Sequence, residues 1–219
     1  GLAGIPRQAE EIMVARDIAL ARLTDGRLHL AHVTTAEAVA LVRRAKKETA
    51  GITCEAAVHH FILTEQAVEG YNTYAKMSPP LRTEKDIEAL RKGMKDGTID
   101  CIVTDHAPHS EEEKEIGFEN APFGVIGFET ALPLAFTLAE HGFSPSEIVS
   151  LLTAGPARVM GLERGVVAEG RRADLVVFDP KREWVYEKAA IRSKSRNSPF
   201  IGWTLKGKVV CTIAAGTIA

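Results

Sequence analysis

Asp105-His106-Ala107-Pro108-His109 places a carboxylate and two imidazoles directly after the short apolar run Cys101-Ile102-Val103-Thr104. An aspartate where a strand runs out into a loop can bind a metal ion and exchange a proton. In parallel α/β folds the carboxyl ends of strands form the face on which ligands and catalytic groups gather. The competing reading is a polar turn closed by Pro108. His29-Leu30-Ala31-His32-Val33-Thr34-Thr35 repeats the arrangement, with His32 at the end of a second apolar strand. A single strand-end histidine is commonly a hydrogen-bonded structural residue. Two such ends on different strands of an alternating α/β chain come to one rim, and imidazole plus carboxylate is a ligand set that suits zinc.

The elements that must carry these residues follow from periodicity and turn signals. Strands are expected at about Arg27 to Val33, Ile52 to Ala57 and Ile99 to Thr104, with Leu28, Leu30 and Ala31 buried in the first. Thr34 or Thr35 can cap a helix from Ala36 to Lys47, whose apolar side holds Val39, Leu41 and Val42. A helix from Pro6 to Leu23 precedes them, with Ile12, Ala15, Ile18, Ala19 and Arg22 recurring at helical spacing. His59 and His60 follow the middle strand. Because successive strand side chains point to opposite faces, at most one could face a shared site, and both are expected to be structural or supporting. Lys76-Met77-Ser78-Pro79-Pro80-Leu81-Arg82 is a stiff loop before a helix from Glu84 to Lys95; it either holds a ligand or simply separates two elements. Glu111-Glu112-Glu113-Lys114-Glu115 reads as a solvated loop or helix start. Helices are expected from Phe128 to His141 and from Pro145 to Thr153, and another begins at Gly155-Pro156-Ala157-Arg158. From Gly161 the pattern changes to short Val- and Ile-rich strands between glycine-containing turns, notably Ala173 to Asp179 and Leu205 to Ile213.

With 219 residues, 45% of them hydrophobic, and a formal net charge of −2, the chain reads as a soluble α/β protein without the basic excess of a nucleic-acid binder. Cys54, Cys101 and Cys211 are scattered and lack zinc-site spacing, which fits reduced thiols and a cytoplasmic location. No apolar run is long enough to cross a membrane, and no secretory signal is read at the first residues.

Several of these runs together carry a family resemblance: His32-Val33-Thr34-Thr35, Lys76 to Arg82, Thr104 to His109, Glu111 to Lys114, Ala121-Pro122-Phe123-Gly124, and Gly127-Phe128-Glu129-Thr130-Ala131-Leu132-Pro133-Leu134. In order and spacing they resemble bacterial dihydroorotases of the amidohydrolase superfamily. The likeness runs from Gly4-Ile5-Pro6 through Ser195-Arg196-Asn197-Ser198-Pro199-Phe200 to Gly207-Lys208-Val209-Val210. It implies reversible, zinc-dependent hydrolysis of L-dihydroorotate to N-carbamoyl-L-aspartate in pyrimidine synthesis. It also implies that His32 ligates one ion of a two-zinc centre, and that Asp105 binds the other and carries the proton. His109 would bind substrate, and the backbone of Phe123 and Gly124 would lie over the substrate ring. Ser78 stands where the family usually has a substrate-touching asparagine, and a hydroxyl offers fewer hydrogen-bonding groups than an amide. Hydantoinases and allantoinases share the barrel and the two-metal chemistry, so fold alone does not separate them.

The resemblance implies a (β/α)8 barrel of which this chain carries about the last three βα units in residues 1–160. Residues 161–219 would form the carboxy-terminal part of a small β-sandwich. A His-x-His pair with its arginine, a bridging lysine carbamate or aspartate, and a further histidine belong to strands that do not match here. The expectation is a carboxy-terminal half that binds zinc weakly and is inactive alone. Its open strand edges would be covered by self-association or by a complementary half. A homo-oligomer is expected, and aspartate carbamoyltransferase is a possible partner. A non-catalytic, dihydroorotase-like partner of that enzyme is the alternative from a different class.

Overall fold

Three short parallel strands organise the first part of the chain in the computed structural model, which describes residues 4–219. β1 (Leu28–Leu30), β2 (Ile52–Ala57) and β3 (Cys101–Val103) pair in that order, with His29 opposite Thr53 and Glu55 opposite Cys101. Strand residues alternate between faces. Leu30, Ile52, Cys54, Ala56 and Ile102 turn into the hydrophobic core. His29, Thr53, Glu55 and Cys101 therefore share the opposite face. Helices α1 (Arg7–Thr24), α2 (Ala36–Glu48) and α3 (Glu84–Lys95) cover the apolar face through Val14, Ile18, Val39, Val42, Leu90 and Met94.

The middle strand, α2 and α3 match their expected bounds closely, whereas β1 and β3 are shorter than expected. Both outer strands stop where a non-glycine residue turns left-handed, His32 at φ 54° and Asp105 at φ 47°. Val33 still donates to the Glu55 carbonyl at 3.0 Å, so the chain stays beside β2 after β1 has ended. Ala31, expected inside, is exposed. The buried stripe of α1 also differs from expectation: it is Val14, Ile18 and Ala21, while Ile12 is 66% exposed and Ala15 and Ala19 lie outside. The rotation is set by Glu10, whose carboxylate accepts from the backbone N–H groups of Thr34 (2.7 Å) and Thr35 (3.1 Å) and from the Thr34 hydroxyl.

After β3, α4 (Glu111–Lys114) is a single turn closed by a capping box between Ser110 and Glu113. Lys114, expected in a solvated run, is fully buried. The helix expected from Phe128 begins only at Ala131: α5 (Ala131–Ala135) passes into a 3-10 turn, Phe136–His141. The preceding residues have other partners. Phe128 stacks on His106 with ring centroids 3.8 Å apart, and Glu129 accepts from the N–H groups of Arg192 and Ser193. Helices α6 (Pro145–Leu152) and α7 (Ala154–Met160) follow, then an antiparallel sheet of β4 (Leu175–Val185), β5 (Thr204–Ala214) and β6 (Thr217–Ile218). Phe136 and Phe178 meet at 4.6 Å between the 3-10 turn and that sheet. No helix is long and apolar enough to cross a membrane among the described residues.

The start of α2 hangs on a second buried carboxylate. Asp86, wholly inaccessible in α3, accepts from Ala36 N at 2.9 Å, from Thr83 N and Oγ1, and from Arg7 at 3.0 Å. Burial by itself pushes this carboxyl up, but the hydrogen bonds from Thr83, Ala36 and Arg7 outweigh it and hold the pKa below its ordinary 3.8. A carboxylate with a depressed folded-state pKa stabilises the fold above its unfolded pKa and loses that contribution as pH falls through the folded one. Asp86→Ala is therefore expected to cost about 2–4 kcal/mol at pH 7, read by urea denaturation, because several buried donors lose their acceptor. The difference between variant and wild type should shrink below pH 4; a constant difference down to pH 2 contradicts the ionic account.

Candidate active site

His32 and Asp105 meet. His32 Nε2 lies 3.6 Å from Asp105 Oδ1, across the carboxyl ends of β1 and β3. Both residues hold a backbone conformation that non-glycine residues rarely adopt. Such strain persists only where surrounding structure enforces it, and it gathers at functional sites. Beside His32 the chain is held by the clasp after β1, where Glu10 and Asp86 hold residues 34–36 and Arg82 donates to Thr34 Oγ1 at 3.1 Å.

Glu55, on the central strand, lies between these groups and the polar face below them. Its Oε2 contacts His29 Nε2 at 3.1 Å and Cys101 Sγ at 4.0 Å, and its Oε1 lies 3.2 Å from His32 Nδ1. The last contact has ion-pair distance without hydrogen-bond geometry, so His32 Nδ1 is buried and unpartnered. His29 Nδ1 is 2.8 Å from Thr53 Oγ1. Ligand atoms of His29, Glu55 and Cys101 all lie within 4.8 Å of one another, a nitrogen, oxygen and sulfur set of the kind that holds a transition metal. Burial first, then Glu55, pushes the Cys101 thiol up to about 12, which keeps it protonated unless a cation displaces the proton.

The donor set at His32 and Asp105 also fits zinc. The carboxylate of Glu55 behind His32 matches the usual support of a metal-bound imidazole, whose second nitrogen faces an acid.

The other sequence-predicted residues lie around this pair, not all in contact with it. His109 Nδ1 faces Glu113 Oε2 at 3.7 Å, and among the described residues no hydrogen bond or ion pair joins it to His32 or Asp105. Ser78 is exposed and lines a cavity of about 360 Å³ with His29, Glu10 and Arg82. Phe123, 43% exposed, lines a separate cavity of about 670 Å³ with Tyr71, Lys76 and Phe118. Gly124 has φ 115° and sits so near Ala107 that an added Cβ would lie 2.5 Å from the alanine methyl. Only glycine allows these two loops so close. His59 and His60 are not on a strand but in a 3-10 turn, Val58–Phe61. Both are buried, as the structural reading requires, and burial drives His60 down to about 4 while His60 Nε2 pairs with the Pro79 carbonyl at 2.8 Å.

The amidohydrolase family model matches residues 3–219, essentially all of this architecture. The chain belongs to the amidohydrolase family. A protein named dihydroorotase from Endomicrobium trichonymphae is 52% identical over 221 residues, covering 100% of this chain and 52% of its own length. One of the same name from Syntrophotalea carbinolica is 51% identical, again with 100% of this chain and 52% of the relative covered. The chain spans about half the length of the curated relatives it matches. Among solved amidohydrolase-like structures, the dihydropyrimidinase from Brevibacillus agri aligns with TM-score 0.92 at 25% identity, covering 97% of this chain and 49% of that one. The L-hydantoinase from Arthrobacter aurescens aligns with TM-score 0.90 at 28% identity and the same coverage. The fold of this amidohydrolase chain is thus α/β and similar to that of the hydantoinases.

Sequence reasoning singled out neither Glu55 nor Asn197. Glu55 carries a signal in hindsight, as an acid two residues before the end of an otherwise apolar strand. Asn197, wholly buried, accepts from His109 N at 3.1 Å and donates to the carbonyls of Ala107 (2.8 Å) and Gly124 (3.2 Å), while its own carbonyl accepts from Ile126 N. It clasps the Asp105–His109 loop to the Phe123–Gly124 loop. Asn197→Ala should destabilise the protein by about 2–4 kcal/mol through those unpaired buried groups, measured by urea denaturation. A change below about 0.5 kcal/mol contradicts the clasp.

Proposed function

We propose that this chain forms the proton-transfer and substrate-facing part of a dihydroorotase. The observation that carries the reading is the His32–Asp105 pair, 3.6 Å apart on two left-handed strand ends, in a chain about half identical to proteins named dihydroorotase. The three parallel strands and their helices correspond to the last three βα units of a (β/α)8 barrel, residues 1–160, and β4 to β6 to one part of a small β-sandwich, residues 161–219. His32 and Asp105 would hold zinc. They are two ligands where about four are usual, so the active protein draws the rest from outside these two strand ends. Zinc, when bound, supplies Lewis-acid polarisation of the ring amide and a more acidic water.

The chain's own residues then have definite tasks. Hydrolysis adds water across the ring C–N bond: the carbonyl carbon gains a hydroxyl, and the departing nitrogen gains a proton. Asp105 would accept the proton from the attacking water and return it to that nitrogen, and the reverse transfer would close the ring. His109 would pair with a substrate carboxylate, and the backbone of Phe123 and Gly124 would cover the ring. Ser78 supplies a hydroxyl at the position of the usual amide. The small-molecule substrates are L-dihydroorotate and N-carbamoyl-L-aspartate, handled in the cytoplasm for pyrimidine synthesis. Association into a homo-oligomer or with aspartate carbamoyltransferase belongs to the same reading.

The structural kinship to a dihydropyrimidinase and a hydantoinase offers a second substrate class, the dihydropyrimidines and hydantoins of those names. Side-by-side assays of dihydroorotate and dihydrouracil separate the two, and preference for dihydrouracil removes the dihydroorotase reading. In the active protein Asp105→Asn should lower dihydroorotate turnover by more than the roughly 10²–10⁴-fold of a lost general acid–base, since it also alters a metal ligand. His109→Ala should act chiefly on KM. Retention of more than about a tenth of wild-type turnover by Asp105→Asn is incompatible with the assigned role.

A further inference from the structure

Two lysines are buried beside the Phe123–Gly124 loop without an acidic partner. Lys114 is fully inaccessible, and its Nζ donates to the carbonyls of Pro122 at 2.7 Å and Gly124 at 3.2 Å. Lys76 is 8% exposed, and its Nζ donates to the carbonyls of Glu119 at 3.0 Å and Ala121 at 2.7 Å. Among the described residues neither ammonium has a carboxylate within ion-pair distance. Lys76 Nζ also sits over the rings of Phe123, 4.6 Å from the centroid, and Phe118 at 5.4 Å. The backbone of Lys76 adds a fifth tie, its carbonyl accepting from Gly124 N at 2.9 Å.

Burying a cation without an anion is costly, and proteins tolerate it where the charge is matched by aligned dipoles. Here four carbonyls from one short stretch, residues 119–124, converge on two ammonium groups. A loop with no regular hydrogen-bond ladder of its own is thereby folded around two fixed points. We propose that Lys76 and Lys114 are positioning residues: together they clamp the 119–124 loop from within and so set the place of Phe123 and the Gly124 backbone. Its bearing on substrate rests on the dihydroorotase reading above; the clamp itself does not.

The clamp has a pH signature. Burial, then the charge of Lys76, lowers the Lys114 pKa from 10.5 to about 8. Lys76 is the charged group facing it from the neighbouring turn, and both acceptors of Lys114 are neutral carbonyls. A neutral amine still has two N–H groups, as many as Lys114 has acceptors. With the loop open, Lys114 returns to the ordinary lysine value, so the closed loop binds the proton more weakly than the open one. Closure therefore gains free energy as pH rises through about 8 towards 10.

Hydrogen exchange followed by mass spectrometry on the purified protein tests this. In Lys114→Met and Lys76→Met, amides of 119–124 should exchange about tenfold faster or more, while those of β2 stay unchanged. Unchanged loop exchange in folded variants overturns the clamp. In the wild type, which needs no substitution, protection of the loop corrected for intrinsic exchange should increase relative to β2 between pH 7 and about 9.5. A flat or falling ratio overturns it equally, even if both variants fail to fold. Steady-state kinetics on dihydroorotate with the same substitutions in the active protein then separates the two ideas. A loosened loop with a raised KM and a nearly constant kcat supports both, whereas a loosened loop with an unaltered KM keeps the clamp and removes the loop's role over the substrate.

Discussion

One carboxylate on the central strand governs the geometry of the site. Parallel pairing fixes Glu55 opposite Cys101 and one pleat above the His29–Thr53 pair, so its two oxygens reach a histidine on the strand face and another at the strand end. A shift of pairing by one residue would turn Glu55 into the apolar core and bring Cys54 or Ala56 to the polar face. The register itself is secured from the opposite side, by the packing of Ile52, Cys54 and Ala56 under α2 and α3. Hydrophobic burial thus decides which chemical groups can meet, although none of the core residues takes part in the chemistry.

The same division explains what could be read from the sequence. β2, α2 and α3 were legible because each states its character locally: a strand with apolar Ile52, Cys54 and Ala56 on alternate positions, a threonine cap at Thr35, and a capping box at Thr83 and Asp86. His32 and Asp105 were legible as strand-end groups because an apolar run precedes each. The outer strands were overextended because the left-handed turns at His32 and Asp105 fall on non-glycine residues, and the clasp beside His32 comes from neighbours distant in sequence. Lys114 lay in a run of acids and read as solvated, since nothing local announces that carbonyls of residues 122 and 124 will surround it. The face of α1 was misjudged for a similar reason: its rotation is fixed by a salt-bridged Glu10, whereas apolar Ile12 and Leu23 remain outside.

The site is also built with two different kinds of support. Around His32 the loop is held by carboxylates, Glu10 and Asp86, that accept backbone N–H groups at the amino end of α2, where the helix dipole favours negative charge. Around Phe123 and Gly124 the loop is held by cations that donate to backbone carbonyls. Each loop presents one kind of backbone group to its anchors, and the anchors have the matching sign. Negative charge is concentrated behind the imidazole that would face a metal ion, and positive charge behind the loop that would face an anionic substrate.

Asn197 gives the assembly an order in time. It joins His109 and Ala107 across 88 and 90 residues of chain, and Gly124 across 73. Contacts of such separation pay a loop-closure entropy that local contacts do not, and they are typically made late in folding. On a ribosome the histidine, the aspartate and both lysines emerge well before the asparagine that fastens their loops together. A nascent chain stopped short of residue 197 therefore carries His32, Asp105, His109 and both lysines but lacks the amide that ties Ala107 and His109 to Gly124. The tie between these two loops is thus made by a segment remote from both, and the shape of the rim depends on a stretch of chain that contributes no group to it but an amide.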